Sequence, residues 1–187
     1  MIGSACFAIA SLPGGSSVNA AAVGVTYFVG SIFFTTAALE QLRTCERSDR
    51  ADLLSSLIQF AGTLFFNVNT FDGMLDQLSS GRQDLLVWAP DAVGSGCFLV
   101  ASMLALVTVW REPLFAHARR IARFNLLGSI AFGASAVASY VLPDSGALLD
   151  ATVARTMTLW GAVCFFGGAY LLTGLPRGHV RVAPQVP

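Results

Sequence analysis

The chain contains no lysine. All eleven of its basic residues are arginines, balanced by eleven acids to a formal charge of zero; the missing lysine hints at a GC-rich coding bias and not at a function. Without an excess of positive charge there is no basic field to hold a phosphate backbone, so nucleic acid is not an expected partner. Charge of either sign is scarce, at 12% of 187 residues, about half of what soluble domains carry. Histidine occurs only at His117 and His179; both fall in segments expected on one side of a membrane, so no histidine pair faces across a bundle to hold a haem. The four cysteines, Cys6, Cys45, Cys97 and Cys164, lack CxxC or zinc-ligand spacing and read as small buried hydrophobes. No HExxH, GxSxG or Walker loop is present, so no metal, cofactor or catalytic activity is expected.

Apolar residues are what the chain has in abundance: 55% of the total, with a mean hydropathy of +0.66. Five apolar segments reach the ~20 residues needed to cross a hydrocarbon core as helices. They run from Val18 to Leu42, Asp52 to Leu75, Leu86 to Trp110, Ala118 to Leu142 and Ala151 to Leu172, followed by a tail over 176–187. Backbone groups in lipid must be satisfied within the segment, and the alternation of barrel strands is absent, so the expected fold is an all-α polytopic transmembrane bundle forming one domain. Prolines punctuate it: Pro90 is expected to open the third span and Pro143 to end the fourth. The N-terminus has no basic n-region, so it does not read as a signal peptide.

Charge in the connections sets the orientation. Arg43, Arg47 and Arg50, then Arg111, Arg119, Arg120 and Arg123, and finally Arg177 and Arg181 occupy alternate connections and the tail. The intervening connections carry Arg82 and Arg155 among Asp72, Asp76, Asp84, Asp144 and Asp150. The positive-inside rule places the first set, with the C-terminus, in the cytoplasm, and the expected location is a bacterial cytoplasmic membrane.

The chain also resembles itself. In YFVGSIFF, QFAGTLFF, DAVGSGCF, NLLGSIAF and TLWGAVCF, Gly30, Gly62, Gly94, Gly128 and Gly161 fall in register, a tandem repeat of about 33 residues with one copy per span. A small residue follows each glycine, a phenylalanine stands four positions on (Phe34, Phe66, Phe98, Phe132, Phe165), and three positions before stands Tyr27, Gln59, Asp91, Asn125 or Thr158. Seven positions on come Ala37, Asn69, Ala101, Ser135 and Gly168. These offsets share one helix face, with the glycines admitting close backbones and each phenylalanine filling the space beside a neighbouring glycine. The motif recurs at Gly3, Ser4, Cys6 and Phe7 with only its second half present. Residues 2–12 are therefore expected to form a truncated half-span belonging to a sixth crossing that starts upstream; a short re-entrant or interfacial helix is the alternative.

The glycine, small residue and phenylalanine core within a short two-helix unit, as in FNLLGSIAFGASAVASYVLP, resembles the YrhK-like domain of bacterial membrane proteins. The resemblance implies a helical membrane module and brings no activity or site residues with it.

Polar residues inside spans are costly in lipid and are the first functional suspects. Tyr27, Gln59, Asn67, Asn69, Asp72 and Asp91 are expected to gather in the outer half as a candidate site for a solute or ion; interhelical hydrogen bonding is the plainer account. Asp91, following Pro90, also suits a helix first turn. Arg119, Arg120 and Arg123, beside His117, form a basic cluster suited to anionic lipid headgroups, and Glu40 is placed to pair with Arg43. The function expected is that of a non-enzymatic structural or partner-binding membrane component, with a channel or transporter for a small solute or ion as the alternative. Membrane lipids, other membrane proteins or a second copy of the chain are the expected partners.

Overall fold

The computed structural model describes residues 1–13, 19–74, 80–110 and 116–173. Within them the chain forms six helices: α1 (Ile2–Ala10), α2 (Ala20–Thr44), α3 (Arg50–Asp72), α4 (Gly81–Trp110), α5 (Ala116–Ala138) and α6 (Ala151–Thr173). The five from α2 to α6 are long and apolar enough to cross a membrane; α1, with nine residues, is not. The expected tail, with Arg177, Arg181 and His179, lies outside the described residues, as do Arg111 and Asp76.

Local chemistry sets the helix starts. Asn19 accepts a bond from the Ala21 amide at 3.0 Å, Asp49 from Ala51 at 2.8 Å, and Asp150 from Thr152 at 3.0 Å and Val153 at 2.9 Å. Each satisfies amide donors that the first turn leaves without partners.

Two boundaries differ from those expected. Pro90 does not open α4, which begins nine residues earlier and passes through a π-helical turn at Asp84–Trp88. The Ala89 amide reaches back to the Asp84 carbonyl, and this widened turn accommodates the imino ring that would otherwise collide with the preceding carbonyls. Asp91 is consequently an interior residue of a helix and not a first-turn cap. Likewise α5 ends at Ala138, short of Pro143. Residues 139–150 instead fold back as a tight hairpin in which Val141 and Leu148 pair, Leu142 N–H donates to the Ala147 carbonyl at 2.8 Å, and Gly146 takes φ 67° to make the turn.

Each helix packs on its neighbours in sequence and α1 packs on α6, so the six close into a ring. Successive members run in opposite directions. One end of the ring gathers Asp72, Asp84, Asp144 and Asp150, and the other gathers Arg43, Arg50, Arg119, Arg120 and Arg123; we refer to these as the aspartate and arginine ends.

All six aligned glycines are buried and meet in pairs across α1–α2, α3–α4 and α5–α6. A Cβ placed on Gly62 would stand 3.1 Å from the Gly94 carbonyl oxygen, and one on Gly94 would stand 3.1 Å from that of Gly62. Gly128 and Gly161 repeat the arrangement at 3.1 Å. The hydrogen in place of each side chain thus points at the partner's backbone, a recurring weak contact at helix interfaces.

Five of the six also receive a ring, whereas Gly3 meets the backbone of Gly30 and Phe34 and the Phe33 Cβ. Phe98 lies on Gly62, Phe66 on Gly94, Phe165 on Gly128, Phe132 on Gly161 and Phe7 on Gly30. The six phenylalanines converge at the centre as two triangular layers. Phe7, Phe66 and Phe132 sit toward the aspartate end with centroids 5.7–6.3 Å apart. Phe34, Phe98 and Phe165 sit toward the arginine end, 5.8–6.4 Å apart. Contacts of 5.3 Å, 5.0 Å and 5.3 Å within the glycine-paired hairpins join the layers.

Two of the other interfaces carry a hydroxyl pair. Ser31 bonds Thr70 at 2.9 Å between α2 and α3, and Ser102 bonds Ser129 at 2.8 Å between α4 and α5. Large apolar side chains such as Ile32, Phe33, Leu64, Met103, Val107, Ile130, Val163 and Phe166 point away from the ring, as expected of a lipid-facing belt.

Gly62→Ala and Gly161→Ala are expected to destabilise the protein by about 1–3 kcal/mol through overpacking. Gly96→Ala, whose added methyl meets nothing within 4 Å, should change stability by less than about 0.5 kcal/mol or improve it slightly. Thermal unfolding in detergent compares them; equal losses at all three positions would refute the glycine pairing.

Candidate functional site

Alternation of helix direction decides where each polar residue of the stripe falls. On α2, α4 and α6 the position three before the glycine lies toward the aspartate end, and on α1, α3 and α5 the position seven after it does. These two sets meet within each glycine-paired hairpin. Ser135 bonds Thr158 at 2.7 Å, Asn69 faces Asp91, and Tyr27 bonds Ser11, one residue past Ala10, at 2.8 Å.

Together they line a cavity of about 540 Å³ opening toward the aspartate end. Phe7, Phe66 and Phe132 form its floor, Tyr27, Asn69, Asp91, Ser135, Ser139 and Thr158 its polar wall, and Leu12, Val23 and Leu148 an apolar rim. Arg155 also lines it, three residues before Thr158. Asp91 accepts a bond from Ser139 at 3.4 Å. A second cavity of about 260 Å³ adjoins the first, sharing Asn69, Asp91, Ser139 and Leu148 and adding Asp72, Gln83 and Trp88. The Trp88 indole donates to the Ala136 carbonyl at 2.9 Å and packs edge-on against Tyr140, fixing this wall.

The expected six-residue polar cluster is therefore divided. Tyr27, Asn69 and Asp91 are together in the larger cavity and Asp72 is in the smaller, whereas Gln59 and Asn67 line neither. Gln59 shares the glycine face but precedes Gly62 on a helix running toward the aspartate end, which puts it on the opposite side of the phenylalanine layers. Asn67 follows Phe66 by one residue, about 100° around the helix, and so turns toward α2, where it donates to Thr35 at 2.9 Å and leaves its Oδ1 buried without a partner. At the arginine end the corresponding stripe positions pack closely: a Cβ on Gly168 would meet the Asn125 Oδ1 at 2.6 Å.

Arg155, Ser139 and Leu148 were not singled out by their sequence pattern. Arg155 reads as a connection charge, and the hairpin that brings Leu148 over the cavity has no periodic signature. Thr158 and Ser135, by contrast, follow from the stripe once helix direction is considered.

The basic cluster is structurally dispersed. Arg123 stacks on the Trp110 ring at 5.3 Å, Arg119 is half-buried, and Arg120 is exposed. His117 Nε2 lies 2.9 Å from the Leu171 carbonyl and donates to it, covering the last turn of α6. Glu40 and Arg43 form the expected ion pair at 2.9 Å, with both side chains exposed. No group of three or more metal-ligating side chains occurs among the described residues. Comparison with protein-family models, curated proteins and solved structures found no match.

In a variant with its native cysteines removed, Thr158→Cys is expected to react readily with a water-soluble thiol reagent, whereas Ala162→Cys, one turn deeper at a fully buried position, stays unmodified. Equal labelling of the two would mean that the cavity does not end at the phenylalanine floor.

Proposed function

We propose that this chain is a non-enzymatic structural or partner-binding component of a bacterial cytoplasmic membrane, with its arginine end and C-terminus in the cytoplasm. The observation that carries the reading is the closure of the ring's centre by Phe7, Phe66 and Phe132 over Phe34, Phe98 and Phe165. Among the described residues, rings in mutual contact leave no hydrated path between the two ends, and five of the six (Phe7, Phe66, Phe98, Phe132 and Phe165) are seated on a glycine of the neighbouring helix, which resists rearrangement. The bundle is further read as a YrhK-like helical module built from tandem copies of the glycine-centred motif. Its outward apolar belt offers lipids, another membrane protein or a second copy a contact surface, and Arg119, Arg120 and Arg123 are read as contacts for anionic lipid headgroups.

A second reading, as a transporter for a small solute or ion, is favoured by one feature: a polar cavity that reaches the phenylalanine layers from the aspartate end, as a single access state would.

Reconstitution into liposomes separates the two. The scaffold reading expects ion and solute permeation no greater than in protein-free vesicles. Phe66→Ala combined with Phe132→Ala is expected to admit a leak wherever the variant remains folded by circular dichroism. Saturable solute uptake by the unaltered protein would overturn the scaffold reading in favour of the transporter.

A further inference from the structure

The cavity at the aspartate end contains two opposite charges that do not neutralise each other. Asp91 and Arg155 both line it, yet the ion pair found among the described residues is Arg43 with Glu40. Asp91 is contacted by neutral groups, the Ser139 hydroxyl and the Asn69 side chain. Arg155 is exposed and lines the same cavity. A carboxylate within an apolar bundle without a cationic partner is costly, and the cost falls when a cation binds beside it.

Their depths differ in a defined way. Asp91 and Thr158 each stand three residues before their glycines and so share a level close to the phenylalanine floor. Arg155 is three residues further out on α6, about 4.5 Å of helix rise. A ligand entering the cavity therefore meets a guanidinium first and a carboxylate at depth, with the Tyr27 and Thr158 hydroxyls level with the carboxylate and Asn69 and Ser135 completing the polar wall. Beneath are the rings of Phe7, Phe66 and Phe132, and around the rim Leu12, Val23 and Leu148. The volume, about 540 Å³, falls within the ~300–1,000 Å³ range of small-molecule sites.

From this arrangement we propose that the cavity is a binding site for a small zwitterion of the amino-acid class, its ammonium group held by Asp91 and Asn69, its carboxylate by Arg155, and its apolar body by the phenylalanine floor and the rim. A simple amine would leave Arg155 without a partner and bring a second positive charge near it. A simple carboxylic acid would do the same to Asp91. The molecule that satisfies both ends carries both charges. The site goes beyond the scaffold reading and does not depend on it, because binding requires no path through the phenylalanine layers.

Titration calorimetry on the full chain in detergent, with glycine, leucine and phenylalanine as probes and with 3-methylbutylamine and 4-methylpentanoate as the single-charge counterparts of leucine, tests the site. Saturable binding of at least one zwitterion is expected, with both single-charge counterparts at least tenfold weaker than leucine where leucine binds. Arg155→Gln, a substitution at an exposed side chain that leaves the packing intact, is expected to remove the advantage of leucine over 3-methylbutylamine. Asp91→Asn is expected to remove its advantage over 4-methylpentanoate. Absence of saturable binding by all three zwitterions overturns the proposal, as does a preference for either single-charge probe or binding unchanged by Arg155→Gln. None of these results bears on permeation, so the site and the scaffold reading fail independently.

Discussion

Side chains absent from Gly30, Gly62, Gly94, Gly128 and Gly161 leave hollows in the helix surfaces, and the phenylalanine of the adjacent helix occupies each one. In water a bundle of this size would be held by the removal of apolar surface from solvent. In lipid that drive is missing, because acyl chains solvate leucine as well as another helix does. Close packing then has to supply the association, and a flat ring pressed on a bare backbone gains more atom-to-atom contact than two branched side chains meeting across a wider gap. The ring of helices, the paired backbones and the aromatic centre all follow from that exchange of volume.

The centre in turn determines what the polar residues can do. Phenylalanine layers at the mid-point separate the stripe into two halves with different fates. Toward the arginine end, Asn125 is pressed on Gly168 and Ser55 donates to the Ala101 carbonyl at 2.9 Å, so polarity there is absorbed in helix contacts. Toward the aspartate end the hairpins splay enough to leave Asp91, Tyr27 and Thr158 around open space. The π-helical turn at Asp84–Trp88 contributes to this: it carries α4 past Pro90 and anchors Trp88 to α5, holding the cavity wall away from its axis.

Much of this was legible in the amino-acid sequence, for a physical reason. Glycine register, the phenylalanine four positions on and the polar residue three positions before are properties of one helix face, and a face is a local quantity that periodicity reports directly. The five apolar helices long enough to cross a membrane are likewise local. Illegible features were those that depend on two helices at once. Gln59 and Asp91 hold the same place in the motif, and only the opposite directions of α3 and α4 put them on different sides of the aromatic layers. Asn67 looks like a companion of Asn69 until the turn between them is seen to send one toward Thr35 and the other into the cavity. The start of α4 is illegible for a related reason: a proline ordinarily marks a helix boundary, and only the widened turn at Asp84–Trp88 carries Pro90 inside the helix.

Neighbours around the ring alternate in direction, and closure of α6 onto α1 joins an up-running rod to a down-running one. Insertion or loss of a single rod would force two parallel members side by side and misalign every backbone hollow with its ring. An architecture of this kind can change size only by whole hairpins, which confines its descendants to even-numbered circles.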